Sequence, residues 1–190
     1  MSHRLFVAIR PPAPVMDALI DTMDGVEGAR WQSEEQLHLT LRFIGEVERP
    51  QANELAEALD EVSASPFALE VAGTGHFERK GRVHALWARV LPSPALELLQ
   101  GRVERACRAV ELVPETRKFV PHVTLARLAV SPAAAAPWLQ ATGALRVPAW
   151  PVGSFGLWES RMGKGGSVYE EVVSYPLAPP AKDAAICPGP

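Results

Sequence analysis

Two stretches of this 190-residue chain carry residue types at a spacing that suits acid–base chemistry. Leu37-His38-Leu39-Thr40-Leu41 recurs as Pro121-His122-Val123-Thr124-Leu125, so each copy reads His-x-Thr-Leu with an apolar residue between the polar ones. In an alternating strand, residues i and i+2 share a face roughly 6.6 Å apart, and the residue between them turns the other way. Each copy then shows an imidazole and a hydroxyl on one side and sends Leu39 or Val123 to the core. Imidazole has an unperturbed pKa of about 6.5, so of two facing one cleft, one can act as base and the other as acid. The hydroxyls of Thr40 and Thr124 can donate to a phosphoryl oxygen as its charge grows. Serine would serve there; valine, of similar shape without the hydroxyl, would not. Chance supplies about 0.16 His-x-Thr triplets in a chain of this composition, so two copies with the same following Leu read as a matched pair.

These residues need strands to hold them and helices to bury the reverse face. Arg4 to Ile9 reads as a short buried strand, stopped by Pro11-Pro12. Pro14 opens a helix carrying Val15, Leu19 and Met23, which Gly25 and Gly28 close. The first motif strand runs from His38 to Ile44 and ends at Gly45. Arg49 to Ser63 is an amphipathic helix with Leu55, Ala58, Leu59 and Val62 as its buried stripe. Phe67–Val71 and Val83–Val90 read as strands, with Gly73, Gly75 and Gly81 in the turns between. The longest helix starts at Pro92-Ser93-Pro94 and runs to about Leu112, burying Leu96, Leu99, Val103 and Ala106 or Cys107. After the second motif strand, Pro121–Leu128, Ser131–Thr142 is helical with a bend or break at Pro137. Val152–Glu159 and Ser167–Tyr175 are further strands, joined by Arg161 to Gly166. The Pro- and Ala-rich residues 178–190 read as a disordered tail. Similar elements follow each motif, and 37 positions separate His38 from Gly75 where 34 separate His122 from Gly156. One domain over residues 1–177, built from two related halves, accounts for that order.

The totals narrow the class. With 47% hydrophobic and 22% charged residues the chain is globular, and its formal net charge of −3 argues against holding long nucleic acid by backbone neutralisation. Cys107 and Cys187 are too few for a disulfide framework or a metal cage. The start carries no signal-peptide pattern and no run is long enough to span a bilayer. A soluble cytoplasmic protein, monomeric for want of an exposed heptad or apolar patch, is expected.

His38-Leu-Thr-Leu-Arg-Phe-Ile-Gly-Glu46 and Phe119-Val-Pro-His-Val-Thr-Leu-Ala-Arg127 resemble the paired signatures of the 2H phosphoesterases. The resemblance is strongest to the LigT-like RNA 2′,3′-cyclic phosphodiesterases, also called 2′-5′ RNA ligases, and extends from Arg4 to Pro176. It implies an α+β fold of two pseudo-symmetric lobes, each an antiparallel sheet with helices on its outer face, and an active-site cleft between them. It implies hydrolysis of RNA 2′,3′-cyclic phosphate ends to 2′-phosphates with no metal or other cofactor, His38 as proton donor and His122 as acceptor. Members of that branch also join tRNA halves through a 2′-5′ linkage, so RNA with a cyclic phosphate terminus is the expected partner.

Basic residues near the motifs are candidates for holding phosphate. Arg42 shares parity with His38 and Thr40, so it is expected in the cleft or at a solvent-facing strand end. Arg127 has the parity of Val123 and Leu125, so a regular strand turns it away; it reaches the site only if the strand ends or twists near Ala126. Arg161 and Lys164 lie on a Gly-rich turn that could touch RNA beyond the reacting phosphate, and Lys118 precedes the second motif. His76 and His84 lack the spacing of a zinc site. Phe43 reads as core; Phe155, Trp87 and Trp158 read as core or as stacking surfaces for a base, with core favoured. Two other readings keep the same cleft: a phosphodiesterase for 2′-5′ oligonucleotides or small cyclic nucleotides, and a nucleotide-binding module without turnover.

Overall fold

The computed structural model describes residues 2–163 and 166–178. In chain order these form β1 (Ser2–Ile9), α1 (Ala13–Ile20), a short β2 (Arg30–Trp31), β3 (Leu39–Glu48), α2 (Arg49–Asp60), β4 (Phe67–Arg79) and β5 (Arg82–Val90). Then come α3 (Pro94–Ala109), β6 (His122–Val130), α4 (Pro132–Thr142), β7 (Arg146–Val152), β8 (Ser154–Gly163) and β9 (Gly166–Pro176). Each helix has proline in its first turn, where a missing N–H costs nothing, and the hydroxyls of Ser93 and Ser131 cap α3 and α4 by accepting from the Leu96 and Ala134 N–H groups.

The strands pair antiparallel throughout, in one sheet ordered β7-β4-β5-β6-β3-β1-β8-β9, with β2 alongside β6. The expected α+β class and antiparallel lobes are present, and the two half-sheets meet between β3 and β6. The order is symmetric about that seam. β4 follows β3 in the chain but lies beside β5; β8 follows β6 but lies beside β1. Each half is thus completed by a strand from the other.

One face of the sheet packs on the helices. Leu5, Val7 and Ile9 of β1, Leu39 and Leu41 of β3, and Val123 and Leu125 of β6 enter one core with Leu55 and Leu59 of α2 and Leu96, Leu99, Val103 and Cys107 of α3. The opposite face carries a small separate cluster of Phe6, Ala8 and Trp158, against which Tyr169 packs. That second, polar-rimmed face is the one the motif histidines share.

Several boundaries differ from the sequence reading. Strand β3 passes through Gly45, whose φ of +87° fits a register shift against β1, and continues to Glu48. Strand β4 likewise runs through Gly73 and Gly75 to Arg79 instead of turning at them. Strand β7 is hidden in the sequence by Pro148 and Pro151. Among the described residues it forms an edge paired only with β4, where prolines are tolerated because one side of the strand needs no donors. Helix α1 stops at Ile20, α2 at Asp60 and α3 at Ala109, although Met23, Val62 and Leu112 still pack on the core. Helix α4 runs on through Pro137. Lys164 and residues 179–190 of the expected tail lie outside the described residues.

Candidate active site

The two motif strands touch through a single Cα pairing, Leu39 with Val123. Continued one residue either way, that antiparallel register sets Thr40 against His122 and His38 against Thr124. Leu39 and Val123 are 1% and 0% exposed, so the seam is anchored in the core while the polar neighbours of both residues emerge together on the opposite face. Each histidine of one half is therefore set beside the threonine of the other.

Both imidazoles are held the same way. His38 Nδ1 lies 2.7 Å from the Gln36 carbonyl oxygen, and His122 Nδ1 lies 2.6 Å from that of Val120. A carbonyl only accepts, so each ring carries its proton on Nδ1 and leaves Nε2 bare. Local sequence arranges this. Gln36 closes a short 3-10 turn, its Oε1 accepting from the Ser33 N–H at 3.0 Å and its Nε2 donating to the Ser167 carbonyl in β9 at 2.6 Å. Val120 precedes Pro121, which favours the extended backbone before it.

Aromatic rings wall both histidines. Phe6 and Tyr169 lie 4.7 and 5.2 Å from His38, centroid to centroid, and Phe77 and Trp87 lie 4.9 and 5.8 Å from His122. Gly75 makes room for this: a Cβ there would come within 2.3 Å of the Trp87 ring, which crosses β4 at that point. Burial disfavours the charged imidazolium and pushes His38 down to about 4, with the His122, Arg127 and Arg10 charges adding to it and the Gln36 carbonyl opposing. His122 is lowered by the same burial and by Arg127, against the pull of the Val120 carbonyl. In the free protein at neutral pH both rings are neutral, two bare Nε2 bases side by side.

The structure reverses the parity reading of both arginines, for one reason. Ala8 pairs with Thr40 and Val7 with Arg42, leaving Leu41 unopposed; Trp87 pairs with Thr124 and Leu86 with Ala126, leaving Leu125 unopposed. Each motif strand thus bulges at the leucine after its threonine, and a bulge exchanges the faces of the residues beyond it. Arg42 turns to the helix side instead of the cleft. It is 8% exposed and donates to the carbonyls of Phe43 and Val113, with Nε 2.8 Å from Glu104 Oε2 of α3. That contact is charge against charge and not a well-directed hydrogen bond, since neither atom finds a good hydrogen-bond geometry. Arg127 turns the other way, exposed on the cleft face, where its charge acts on both histidines. Phe43, expected in the core, is 41% exposed opposite Phe6.

Of the remaining candidates, Arg161 does not enter the cleft. Its guanidinium contacts Glu159 Oε2 at 2.6 Å and Glu170 at 3.0 Å, and Glu159 stands opposite the core residue Leu5. His3 closes the same cluster, 2.8 Å from Glu159. Phe155 is core and stacks on Tyr175, whereas Trp87 and Trp158 are buried as walls of the histidine face. His76 lies 4.0 Å from Glu78, and His84 faces the Phe77 ring. Among the described residues no group of three His, Cys, Asp or Glu is placed to hold a metal ion.

The sequence reading missed Phe6, Phe77, Tyr169 and Arg10. The last is found only through strand register. Ala8 and Trp87 are the residues opposite the two motif threonines, and each is followed two positions later by arginine, Arg10 and Arg89.

A cavity of about 400 Å³ opens on one side of the site, from Thr40 and His122 past Phe43 and Phe77 to Lys118 and Phe119. On the other side β2 pairs with Ala126 and Arg127 of β6, in the gap where β3 diverges.

Comparison with known proteins places these features in a family. Residues 11–164 match the model of the 2′-5′ RNA ligase superfamily. An RNA 2′,3′-cyclic phosphodiesterase of Aeropyrum pernix is 35% identical over 140 residues, 72% of this chain and 80% of that one. A Thermotoga maritima protein of the same name is 37% identical over 107 residues, 55% of this chain and 57% of that one. A crystal structure from Thermus thermophilus superimposes with a TM-score of 0.77 at 26% identity, covering 93% of this chain and 98% of that one.

Proposed function

The chain belongs to the 2′-5′ RNA ligase superfamily, and on that premise we propose that it opens RNA 2′,3′-cyclic phosphate ends to 2′-phosphates by two-histidine catalysis. It is an RNA 2′,3′-cyclic phosphodiesterase, as its relatives are named. The observation that carries the reading is the matched pair of imidazoles, each tied at Nδ1 to a carbonyl and bare at Nε2, on one face across the Leu39–Val123 seam.

The cyclic diester is strained, so proton management and charge stabilisation suffice for its opening. His122 Nε2 takes a proton from the attacking water as the new P–O bond forms. His38 gives a proton to the 3′-oxygen as its bond to phosphorus breaks, leaving the phosphate on the 2′-oxygen. Burial, with the neighbouring positive charges, keeps His38 unprotonated in the free protein, but a phosphate anion placed beside the ring favours its charged form and restores the donor. Thr40 and Thr124 donate to the nonbridging oxygens, and Arg127 and Arg10 add positive charge. In ligation a 5′-hydroxyl takes the place of water with the same roles, and cleavage of a 2′-5′ bond exchanges them. The reading extends to a cytoplasmic monomer that meets tRNA fragments among its substrates and works as one domain duplicated within residues 1–177.

The test is direct. Purified protein in EDTA, given adenosine 2′,3′-cyclic phosphate, is expected to yield the 2′-phosphate, and His38→Ala and His122→Ala each to lose about 10²- to 10⁴-fold in rate with the fold intact. A requirement for added metal, or near-normal turnover by either variant, would remove the scheme.

A further inference from the structure

We infer that Gln36 is a positioning residue for His38. Its side-chain amide clasps β9 to the 3-10 turn Glu34–Gln36, and so fixes both the carbonyl that holds the imidazole and the Tyr169 ring that walls it. The inference deepens the proposed function and rests on it, since it takes His38 as the proton donor.

Every polar group of Gln36 is committed. Its N–H donates to the Ser33 carbonyl at 2.9 Å, and its Oε1 accepts from the Ser33 N–H at 3.0 Å. Its Nε2 donates to the Ser167 carbonyl at 2.6 Å, and its own carbonyl accepts from His38 Nδ1 at 2.7 Å. The partners also fix the orientation of the amide. Reversing it would set donor against donor at Ser33 and acceptor against acceptor at Ser167.

The two histidines are held to similar lengths by unequal means. The Val120 carbonyl that holds His122 is fixed through main chain: the next residue is Pro121, whose carbonyl accepts from the Val90 N–H of β5 at 3.2 Å. The Gln36 carbonyl stands between Leu37, buried in the core, and the turn, and a side chain ties that turn to the far end of the sheet. Among the described residues β9 is the last strand and pairs with β8 alone. At Ser167 the Gln36 amide takes an acceptor that in mid-sheet a neighbouring strand would use. Two positions further on, Tyr169 meets the His38 ring edge-on at 5.2 Å and the Phe6 ring at 5.0 Å. One amide thus governs the hydrogen bond on one nitrogen of His38 and the wall beside its ring.

The charges that act on His38 come from His122 and Arg127 of β6 and from Arg10 beyond β1, and β9 adds the Tyr169 phenol. None of these belongs to the clasp, so what the clasp controls is the access of water to the ring. Burial is the largest influence holding His38 down at about 4. A loosened clasp should let water in and raise it toward the ordinary imidazole value of about 6.5. His122, enclosed by Phe77 and Trp87, should keep its own value.

Nitrogen-15 NMR of the two imidazoles through a pH titration tests this, with kcat and KM on adenosine 2′,3′-cyclic phosphate measured beside it. The proteins compared are the unmodified chain, Gln36→Met, Tyr169→Ala and the double variant. Methionine keeps the length of the side chain and removes both amide bonds without adding charge. In Gln36→Met the His38 titration should move up and its Nδ1–H tautomer should lose population, while His122 stays as it was. At the same time kcat should fall about tenfold with a smaller change in KM, less than the roughly 10²-fold that a full ångström of misplacement costs. Because the clasp acts partly through Tyr169, Gln36→Met should do less in the Tyr169→Ala protein than in the unmodified one. A Gln36→Met protein that is merely less stable, with His38 titration, tautomer and kcat unchanged, would overturn the inference and leave the proposed function standing. Equal shifts of both histidines would also overturn it, as general loosening, and full additivity of the two substitutions would remove the arm through β9. An unmodified chain that fails to open the cyclic phosphate would remove the proposed function and the inference with it.

Discussion

A histidine whose Nδ1–H is bonded to a carbonyl has one nitrogen left for chemistry, and here that is true of both. The Gln36 and Val120 carbonyls select the tautomer before any substrate arrives, so neither ring must reorient to act. Burial against Phe6, Tyr169, Phe77 and Trp87 adds a pH signature. The proposed scheme needs one ring charged and one neutral, and both rings resist charging until the pH falls below the ordinary imidazole value of about 6.5. The rate constant kcat/KM, which reports the free enzyme, should therefore rise as the pH drops through 6.5. It should fall again when the second ring is charged, His38 titrating at about 4. The dependence of kcat should lie at higher pH, since bound phosphate stabilises the imidazolium. A kcat/KM profile on the cyclic mononucleotide with its maximum above pH 7 would contradict this account. The two threonines separate shape from hydroxyl: Thr124→Ser should keep most of the rate and Thr124→Val should lose on the order of 10²-fold in kcat.

At the level of the strands, the decisive feature is the paired bulge. One unopposed leucine in β3 and one in β6 turn Arg42 to the helices and Arg127 to the cleft, so two arginines at neighbouring motif offsets do opposite work. Their substitutions should part accordingly. Arg127→Ala should lower kcat/KM and leave the thermal midpoint near that of the unmodified protein. Arg42→Ala removes one partner of the half-buried Glu104, which keeps Arg108 and the Glu115 N–H, and leaves the Phe43 and Val113 carbonyls without their donor; it should cost about 1–3 kcal/mol in unfolding free energy measured by urea denaturation. The reverse pattern would mean that the faces of these strands have been misassigned. Gly75 belongs to the same scale. Gly75→Ala forces the Trp87 ring off β4, and overpacking of this sort costs about 1–3 kcal/mol; because Trp87 walls His122, kcat should fall as well.

Across the whole molecule, the exchange of β4 and β8 between halves explains why neither half is self-sufficient. β4 carries Phe77 to His122, and β8 carries Trp158 beside Phe6 near His38, each supplied by the repeat of the chain to which that histidine does not belong. The seam itself is narrow, a single pairing of two core residues. Val123→Ala should cost about 0.5–2.5 kcal/mol in stability and, beyond that, lower kcat by loosening the register that sets each histidine against the opposite threonine. Recognition at this scale is local. The net charge of −3 argues against holding long nucleic acid by backbone neutralisation. The affinity for cyclic-phosphate RNA should then fall only shallowly with salt, with a log–log slope of about 1 to 2, the release expected from neutralising two or three phosphates on a single strand. A slope near 5 would show a larger basic footprint than these residues supply.

How much of this is legible in the chain alone depends on the kind of information involved. The His-x-Thr pairs, the buried stripes of Leu55 and Leu59 or of Leu96, Leu99 and Val103, and the antiparallel α+β class come from residue type and period, which are local. Gly45, Gly73 and Gly75 read as turn residues because glycine marks both turns and bulges, and a strand's own sequence does not say which. The two prolines of β7 hide an edge strand for a related reason: whether proline is tolerated depends on which side of the strand has a neighbour. By itself, then, the sequence pointed to the groups that the proposed chemistry uses and showed that they come in a matched pair. Only the tertiary structure decided which arginine joins them, which aromatic rings enclose them and which side of the cleft stays open. Those depend on registers between strands distant in the chain, and one unopposed residue in a ladder is enough to exchange the faces.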